Sequence, residues 1–172
     1  MEELGCCVLI PTYNNEKTLA AVIKDVSTFA NDIIVINDGS TDSTEEVLRD
    51  FLKAEIISYS KNKGKGHALK TGLLRAKERG FTYAISIDSD GQHFADDIPV
   101  FLEAITKTPG AMLIGARNLQ QENMPQKNTF GNKFSNFWFK LETGIDLPDT
   151  QSGFRLYPLD VLDKIKLFTR KY

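Results

Sequence analysis

Two aspartates stand one residue apart at the point where a short apolar run, residues 83–87, comes to an end. In extended backbone, residues i and i+2 project to the same side, so the carboxylates of Asp88 and Asp90 face one point and repel each other. A cation between them removes that cost, and hard oxygen ligands with an open position suit Mg²⁺ or Mn²⁺ bound together with substrate phosphates. The pair therefore predicts a metal site for a phosphorylated ligand. The alternative is a solvated loop with helix-capping aspartates.

Composition argues against several other classes of protein. The chain has 172 residues, of which 41% are hydrophobic, and a formal net charge of -2, which is typical of one globular domain. A near-neutral charge gives no support for nucleic-acid binding, because nucleic-acid-binding domains usually carry a basic excess. No apolar run approaches the roughly 20 residues needed to span a bilayer, and no signal peptide opens the chain.

The two cysteines, Cys6 and Cys7, are adjacent in a predicted strand, so their side chains point to opposite faces. This arrangement argues against a disulfide framework and favours a reducing compartment. We therefore expect a cytoplasmic location, with association at the cytoplasmic face of a membrane left open.

The elements that must hold the aspartates alternate along the chain. Short apolar runs rich in β-branched residues predict strands at 6–10, 33–37, 55–59, 83–87 and 111–115. Apolar residues three and four positions apart predict four helices, with stripes at Leu19/Val22/Ile23/Val26, Val47/Leu48/Phe51, Leu69/Leu73/Leu74/Ala76 and Ile98/Phe101/Leu102/Ile105. Continuously apolar strands separated by helices predict an α/β fold with a Rossmann-like, mostly parallel sheet and helices on both faces.

Polar segments follow every predicted strand, at residues 11–14, 38–39, 61–66, 88–93 and 117. In open α/β sheets ligands bind beyond the carboxyl ends of the strands, so we expect these segments to converge in space. The dinucleotide fingerprint G-x-G-x-x-G is absent, because Leu69 takes the third glycine position of "GKGHAL". No G-x-x-x-x-G-K-[ST] phosphate loop occurs either.

Six motifs follow one another along the chain: VLIPTYNNEKTL (8–19), IIVINDGSTDST (33–44), KNKGKGHALKTG (61–72), SIDSDGQH (86–93), IGARN (114–118) and DTQSGFRLY (149–157). Together they resemble the inverting glycosyltransferases of family 2, which have the GT-A fold. Within that family the chain is most similar to the dolichyl- or polyprenyl-phosphate mannose and glucose synthases. The resemblance implies a single catalytic domain over residues 1–172 that moves a hexose from a UDP- or GDP-linked sugar to an acceptor.

The resemblance also assigns residues to the nucleotide. Pro11, Tyr13 and Glu16 match the family's first nucleotide-binding motif, in which the tyrosine ring packs on a base and the glutamate accepts hydrogen bonds from ribose or base. Asp38 matches the aspartate that accepts the base N–H, and either uracil or guanine suits it. Lys65 matches the lysine of the glycine-rich turn. The alternative for Glu16 is a helix-capping role, the alternative for Asp38 is an N-cap role, and the alternative for Lys65 is an ordinary solvated side chain.

The aspartate pair matches the family's metal-binding D-x-D, which implies Mn²⁺ or Mg²⁺ at Asp88 and Asp90. Ser89, between them, is assigned to the nucleotide-sugar site. Gln92 matches a position that adds a metal ligand in the mannose synthase branch, and we expect His93 to shape the loop.

Three further residues match positions that face the donor or acceptor phosphates: Arg117, Gln151 and Arg155. Guanidinium suits that role because it can bind phosphate through two parallel hydrogen bonds. Asp149 is the candidate general base if the acceptor is a hydroxyl group. A polyprenyl phosphate is already anionic and needs no strong base, and the form DTQSGFR favours that acceptor. The resemblance thus implies a catalytic set of Asp90, Asp149 and Arg155.

The chain departs from the family pattern in three places. Lys127 stands where the mannose synthase branch has arginine, which keeps the charge but loses the forked geometry. The aromatic stretch 130–141 predicts either an acceptor-side helix that contacts a lipid tail or the membrane surface, or an ordinary core helix. The family continues where this chain stops, so we expect a C-terminal truncation, with membrane anchoring of the natural protein left open.

Other functions compete with transfer to a polyprenyl phosphate. Transfer to a saccharide hydroxyl in cell-surface glycan synthesis needs the same donor site. A nucleotidyltransferase usually carries an N-terminal glycine-rich loop, and residues 8–16 contain no glycine. A catalytically silent nucleotide-sugar binding module would bind the donor without turnover.

Overall fold

The computed structural model describes residues 1–115 and 152–163. Within these ranges the strands are β1 (Cys6–Thr12), β2 (Ile33–Asn37), β3 (Glu55–Ser58), β4 (Tyr83–Ser86), β5 (Leu113–Ile114) and β6 (Arg155–Pro158). The α-helices are α1 (Leu19–Ser27), α2 (Thr44–Leu48), α3 (Lys65–Glu78) and α4 (Ile98–Lys107). Short 3-10 turns cover Glu2–Leu4, Ala95–Asp97 and Leu159–Asp163. None of the helices in the described ranges is long and apolar enough to cross a bilayer.

The strands form one sheet in the order β3-β2-β1-β4-β6-β5. β1 pairs in parallel with β2 and with β4, and β2 pairs in parallel with β3. β6 runs antiparallel to both β4 and β5. The predicted α/β class with a mostly parallel sheet is confirmed, and a strand overlaps each of the five predicted runs.

β6 is the strand that the sequence patterns do not predict. Its residues alternate between half-buried and buried positions, with Leu156 and Pro158 buried. An alternation of only four residues that ends in proline is too short to be distinguished from a turn by periodicity. β6 also pairs with β5. β5 consists of Leu113 and Ile114, so it is shorter than the strand that the sequence predicts over 111–115.

β1 and β2 are buried along their whole length because helices cover both faces of the sheet. Side chains alternate along β1. Val8 and Ile10 join the core cluster that α1 and α4 cover, and Cys7 and Leu9 join the cluster beneath α3. The two clusters hold β1 in the middle of the sheet, with its carboxyl end at the edge where the polar segments gather.

α3 lies close to the sheet because its inner face carries small residues. Gly72 packs against Leu9 and Ile36, and a Cβ atom at position 72 would lie 2.7 Å from Ile36 Cδ1. The buried residues of α3 are Ala68, Gly72, Leu73 and Ala76. The prediction that Leu74 belongs to the apolar stripe is wrong, since Leu74 is exposed and the small residues define the buried face.

Burial also governs the two cysteines. Cys6 and Cys7 are free thiols in the two core clusters on opposite faces of the sheet, as the strand geometry predicts. Burial raises the pKa of each thiol to about 12. Because the thiolate is the reactive form, both side chains are chemically inert in the folded chain.

We expect the native protein to show no thiol reaction with DTNB at about pH 8, because the raised pKa values keep both thiols protonated and the core excludes the reagent. The same protein unfolded in guanidinium chloride should release two equivalents, one from each cysteine. A native sample that reacted as fast as the unfolded control would contradict the burial of β1.

Candidate active site

A cavity of about 250 Å³ opens at the carboxyl edge of the sheet, between the ends of β1, β2 and β4 and the start of α3. It is lined by Pro11, Thr12, Tyr13, Asn15, Asp38, Asn62, Lys65, Ala68, Asp88, Ser89 and Asp90. Seven of these residues are ones that the sequence analysis assigns to the site: Pro11, Tyr13, Asp38, Lys65, Asp88, Ser89 and Asp90. The structure therefore brings together side chains from four separate segments, as strand direction predicts.

The register of the parallel strands places these segments side by side. Thr12, at the end of β1, lies opposite Asn37, at the end of β2. The backbone N–H of Asp38 donates to the carbonyl oxygen of Thr12 at 2.9 Å, which extends the ladder by one residue beyond the strands. The first and second polar segments thus begin in contact with each other.

Asp38 holds the glycine-lysine turn against the end of β2. Its side chain is buried, Oδ1 accepts the backbone N–H of Lys63 at 2.8 Å, and Oδ2 accepts that of Gly64 at 2.8 Å. Gly39 permits this approach, because its φ is +71° and a Cβ there would lie 2.5 Å from the carbonyl carbon of Lys61. The observed bonds are neither an N-cap nor a base contact. Asp38 also lines the cavity, so the base contact stays a prediction.

Glu16 joins the loop after β1 to the start of α2. Its Oε2 accepts the backbone N–H of Ser43 at 2.9 Å, and its own backbone N–H donates to Asp42 Oδ2 at 3.1 Å. Partial burial opposes ionisation of Asp42, but hydrogen bonds from Thr44 and from the Glu16 backbone outweigh it and lower the pKa of Asp42. Glu16 is not among the cavity-lining residues, and its contact with the nucleotide stays a prediction.

Ser89 anchors the loop that carries the aspartate pair. Its hydroxyl donates to the carbonyl oxygen of Pro11 at 3.1 Å and accepts from Asn15 Nδ2 at 2.7 Å. The hydroxyl of Thr18 donates to the carbonyl oxygen of Ser89 at 2.6 Å. Asn15 and Thr18 were not predicted as part of the site, although both lie in the motif 8–19, where short polar side chains beside a strand end are a signal for loop anchoring.

The two aspartates differ in their surroundings. Asp88 Oδ1 lies 2.7 Å from Lys65 Nζ, and Asp88 Oδ2 lies 3.9 Å from His93 Nε2. Asp90 is exposed, and its Oδ1 accepts the backbone N–H of Gln92 at 2.9 Å. The ammonium group of Lys65 thus offsets part of the repulsion between the carboxylates, and it brings positive charge to the cavity.

The carboxylates fit a divalent cation that is completed by a ligand. Among residues 1–115 and 152–163, no three His, Cys, Asp or Glu side chains are grouped so that they could hold a metal ion by themselves. Asp88 and Asp90 nevertheless present hard oxygen donors to one open cavity. Mg²⁺ commonly binds through one or two carboxylates, water and substrate phosphates, and this donor set meets that requirement.

The remaining assigned residues are either outside the described ranges or not among those that line the cavity. Arg117, Asp149 and Gln151 lie outside the described residues, as do Lys127 and the aromatic stretch 130–141. Arg155 is on β6, where its Nε donates to the carbonyl oxygen of Ser152 at 2.7 Å, and it is not among the residues that line the cavity. Gln92 is exposed next to the cavity-lining aspartate and contributes its backbone N–H to the loop.

Comparison with known proteins identifies similar chains. The profile described as Glycosyl transferase family 2 matches residues 7–166. The UDP-N-acetylglucosamine–dolichyl-phosphate N-acetylglucosaminyltransferase of Methanococcus voltae is 31% identical over 90% of this chain. The polyprenol monophosphomannose synthase of Mycolicibacterium smegmatis is 29% identical over 93% of this chain. Among solved structures, S. aureus TarS 1-349 in complex with UDP-GlcNAc has a TM-score of 0.64 and 18% identity over 92% of this chain.

These proteins are longer than the present chain. It spans 70% of the M. voltae protein, 64% of the M. smegmatis protein and 46% of the TarS chain. At 18% identity, the likeness to TarS concerns the fold alone. Together with the family match it confirms the GT-A fold that the sequence resemblance implies.

We expect Asp38→Asn to lower the free energy of unfolding by about 1 to 3 kcal/mol, because one backbone N–H would face an amide –NH₂ and lose its acceptor. Urea denaturation monitored by far-UV circular dichroism measures the change. The exposed Asp50 provides the matched control, since Asp50→Asn should stay within about 0.5 kcal/mol of wild type. Equal stability of the two variants would show that Asp38 does not hold the 61–64 turn.

Proposed function

The chain belongs to glycosyl transferase family 2, and from this premise we propose that it transfers a hexose from a nucleotide-diphosphate sugar to a polyprenyl phosphate. Inversion at the anomeric carbon and the use of Mg²⁺ or Mn²⁺ at Asp88 and Asp90 are part of the proposal. The observation that carries it is the cavity lined by both aspartates, Lys65 and Asp38, in which Lys65 is paired with Asp88.

The donor site is proposed from the chemistry of the lining residues. Tyr13 is 44% exposed at the cavity, so its ring is accessible for packing on a nucleobase. Asp38, at the end of β2, is the candidate acceptor for a base N–H. Lys65 and the aspartate pair lie together in the same cavity, where a diphosphate would require positive charge and a metal-binding group.

The acceptor is proposed from the relatives. The M. voltae protein is named for dolichyl phosphate and the M. smegmatis protein for polyprenol monophosphomannose. Both names contain a lipid-linked phosphate, so we infer a lipid phosphate acceptor, whose phosphate oxygen is already anionic at neutral pH. Such a nucleophile needs orientation more than deprotonation, so the described residues do not have to include a general base.

The mechanism requires stabilisation of the leaving nucleoside diphosphate. When bound, a divalent cation supplies Lewis-acid stabilisation of the negative charge that develops there. Asp88 and Asp90 would hold it, and Lys65 would contribute a second positive charge at the same end of the cavity. Attack by the acceptor oxygen from the face opposite the diphosphate gives inversion. If the acceptor were a hydroxyl group, Asp149 would be the proposed base.

We expect UDP or GDP to raise the melting temperature of the protein with Mn²⁺ present and to lose most of that effect in EDTA.

Asp90→Asn should weaken the Mn²⁺-dependent affinity for the preferred nucleotide by about tenfold or more, because it removes one charged ligand worth at least about 1.4 kcal/mol. Isothermal titration calorimetry measures the nucleotide affinity of the wild type and of Asp90→Asn in the presence of Mn²⁺. The exposed Asp96 offers a control, since Asp96→Asn removes the same charge from a residue that does not line the cavity. Unchanged affinity in Asp90→Asn would refute the metal assignment.

We expect a polyprenyl phosphate to increase the release of UDP or GDP from the matching nucleotide sugar by about tenfold or more over slow hydrolysis. Product analysis should show a glycosyl phosphate lipid. The same lipid without its phosphate is the control and should be inactive, because it lacks the anionic nucleophile. Transfer to a saccharide alone would favour the hydroxyl acceptor, and tight donor binding with no turnover would favour a silent binding module.

A further inference from the structure

Gly153 lies directly against the first aspartate of the pair. A Cβ atom built at position 153 would lie closer than 3.0 Å to Cγ, Oδ1 and Oδ2 of Asp88, an approach that real Cβ atoms do not make. The backbone of Gly153 does not have the positive φ that favours glycine. Glycine is therefore required here by space and not by backbone conformation, and the space is taken by a carboxylate.

The backbone around Gly153 is fixed to the strand that leads to Asp88. The hydroxyl of Ser86 donates to the carbonyl oxygen of Gly153 at 2.6 Å, and Ser86 pairs with Arg155 in the antiparallel ladder between β4 and β6. Ser152, on the other side, is buried and accepts the backbone N–H of Phe154 at 3.2 Å. The segment cannot easily retreat, so a side chain at position 153 would displace the carboxylate.

Displacement of the carboxylate would change its contacts at the cavity. Asp88 is held on its other side by Lys65 and lies near His93, whose ring packs against Phe154 at a centroid distance of 5.5 Å. The carboxyl group thus occupies a gap between the 152–154 segment and the start of α3. Its direction relative to Asp90 depends on that gap.

On the basis of the proposed function, we propose that Gly153 is a positioning residue for the metal site. By lacking a side chain it lets the Asp88 carboxylate lie where it can share a divalent cation with Asp90 and a donor diphosphate. The described part of the last motif, residues 152–157, would thereby shape the donor side of the site.

The first test is Gly153→Ala, with Mn²⁺-dependent binding of UDP or GDP measured by calorimetry and Mn²⁺ binding followed directly by electron paramagnetic resonance. We expect at least a tenfold loss of Mn²⁺-dependent affinity, with nucleotide affinity in EDTA unchanged. Gly80 provides the control, because its φ is +82°, it has open space around it, and it follows the far end of α3. Gly80→Ala should lower the melting temperature and leave Mn²⁺ affinity unchanged. Wild-type Mn²⁺ affinity in Gly153→Ala would overturn the proposal.

A double-mutant cycle with Asp88→Ala tests the contact without any metal. If the carboxylate fills the space, Gly153→Ala should lower the melting temperature of the wild type and have little further effect once Asp88 is alanine. An equal loss in both backgrounds would overturn the proposal. If Gly153→Ala alone does not fold, the double variant should fold, because Asp88→Ala frees the space. A double variant that does not fold, although Asp88→Ala does, would also overturn the proposal.

The two proposals fail in distinguishable ways. A wild-type protein that binds neither nucleotide with Mn²⁺ would refute the proposed function, and the role of Gly153 toward a metal would be refuted with it. A wild-type protein that binds the Mn²⁺–nucleotide pair, together with a Gly153→Ala variant that binds it equally well, would refute the role of Gly153 alone.

Discussion

Parallel pairing of β1 with β2 on one side and with β4 on the other is the constraint on which the site depends. Parallel strands end at one edge of a sheet, so the segments that follow them are neighbours however far apart they are in sequence. Burial of β1 on both faces stabilises this arrangement, because a one-residue slip would exchange the side chains that pack in the two core clusters. Asp38 and Asp88 meet at one cavity for this reason.

Hydrogen bonds between the loops at this edge of the sheet fix their positions relative to one another. Asp38 binds the turn that precedes α3, and Ser89 binds the carbonyl oxygen of Pro11. Glu16 binds the loop that precedes α2. Each contact satisfies a backbone N–H or C=O group of another segment. Because the bonds cross between segments, they restrict the relative movement of the loops that line the cavity.

Asp88 is the residue in which charge and packing are coupled. Its contact with Lys65 is modest in energy, because the lysine side chain is 59% exposed and solvent screens the pair. A divalent cation and a diphosphate can therefore replace that contact at small cost. The glycine behind the carboxylate restricts its position on the other side. The loop that carries Asp88 and the segment around Gly153 are thus packed against each other, although they are far apart in sequence.

Residue patterns alone were enough to predict the α/β alternation, the buried stripes of α1 and α4, and the convergence of Tyr13, Lys65 and Asp90. Periodicity is a local property, and the alternation of strands and helices implies parallel strands that end at one edge. It did not reveal β6, the small-residue face of α3, or the binding of Asp38 to the 61–64 turn. Tertiary structure alone decided these features and the contact between Gly153 and Asp88. Each depends on the distance at which two segments pack, and that distance is set by side chains remote in sequence.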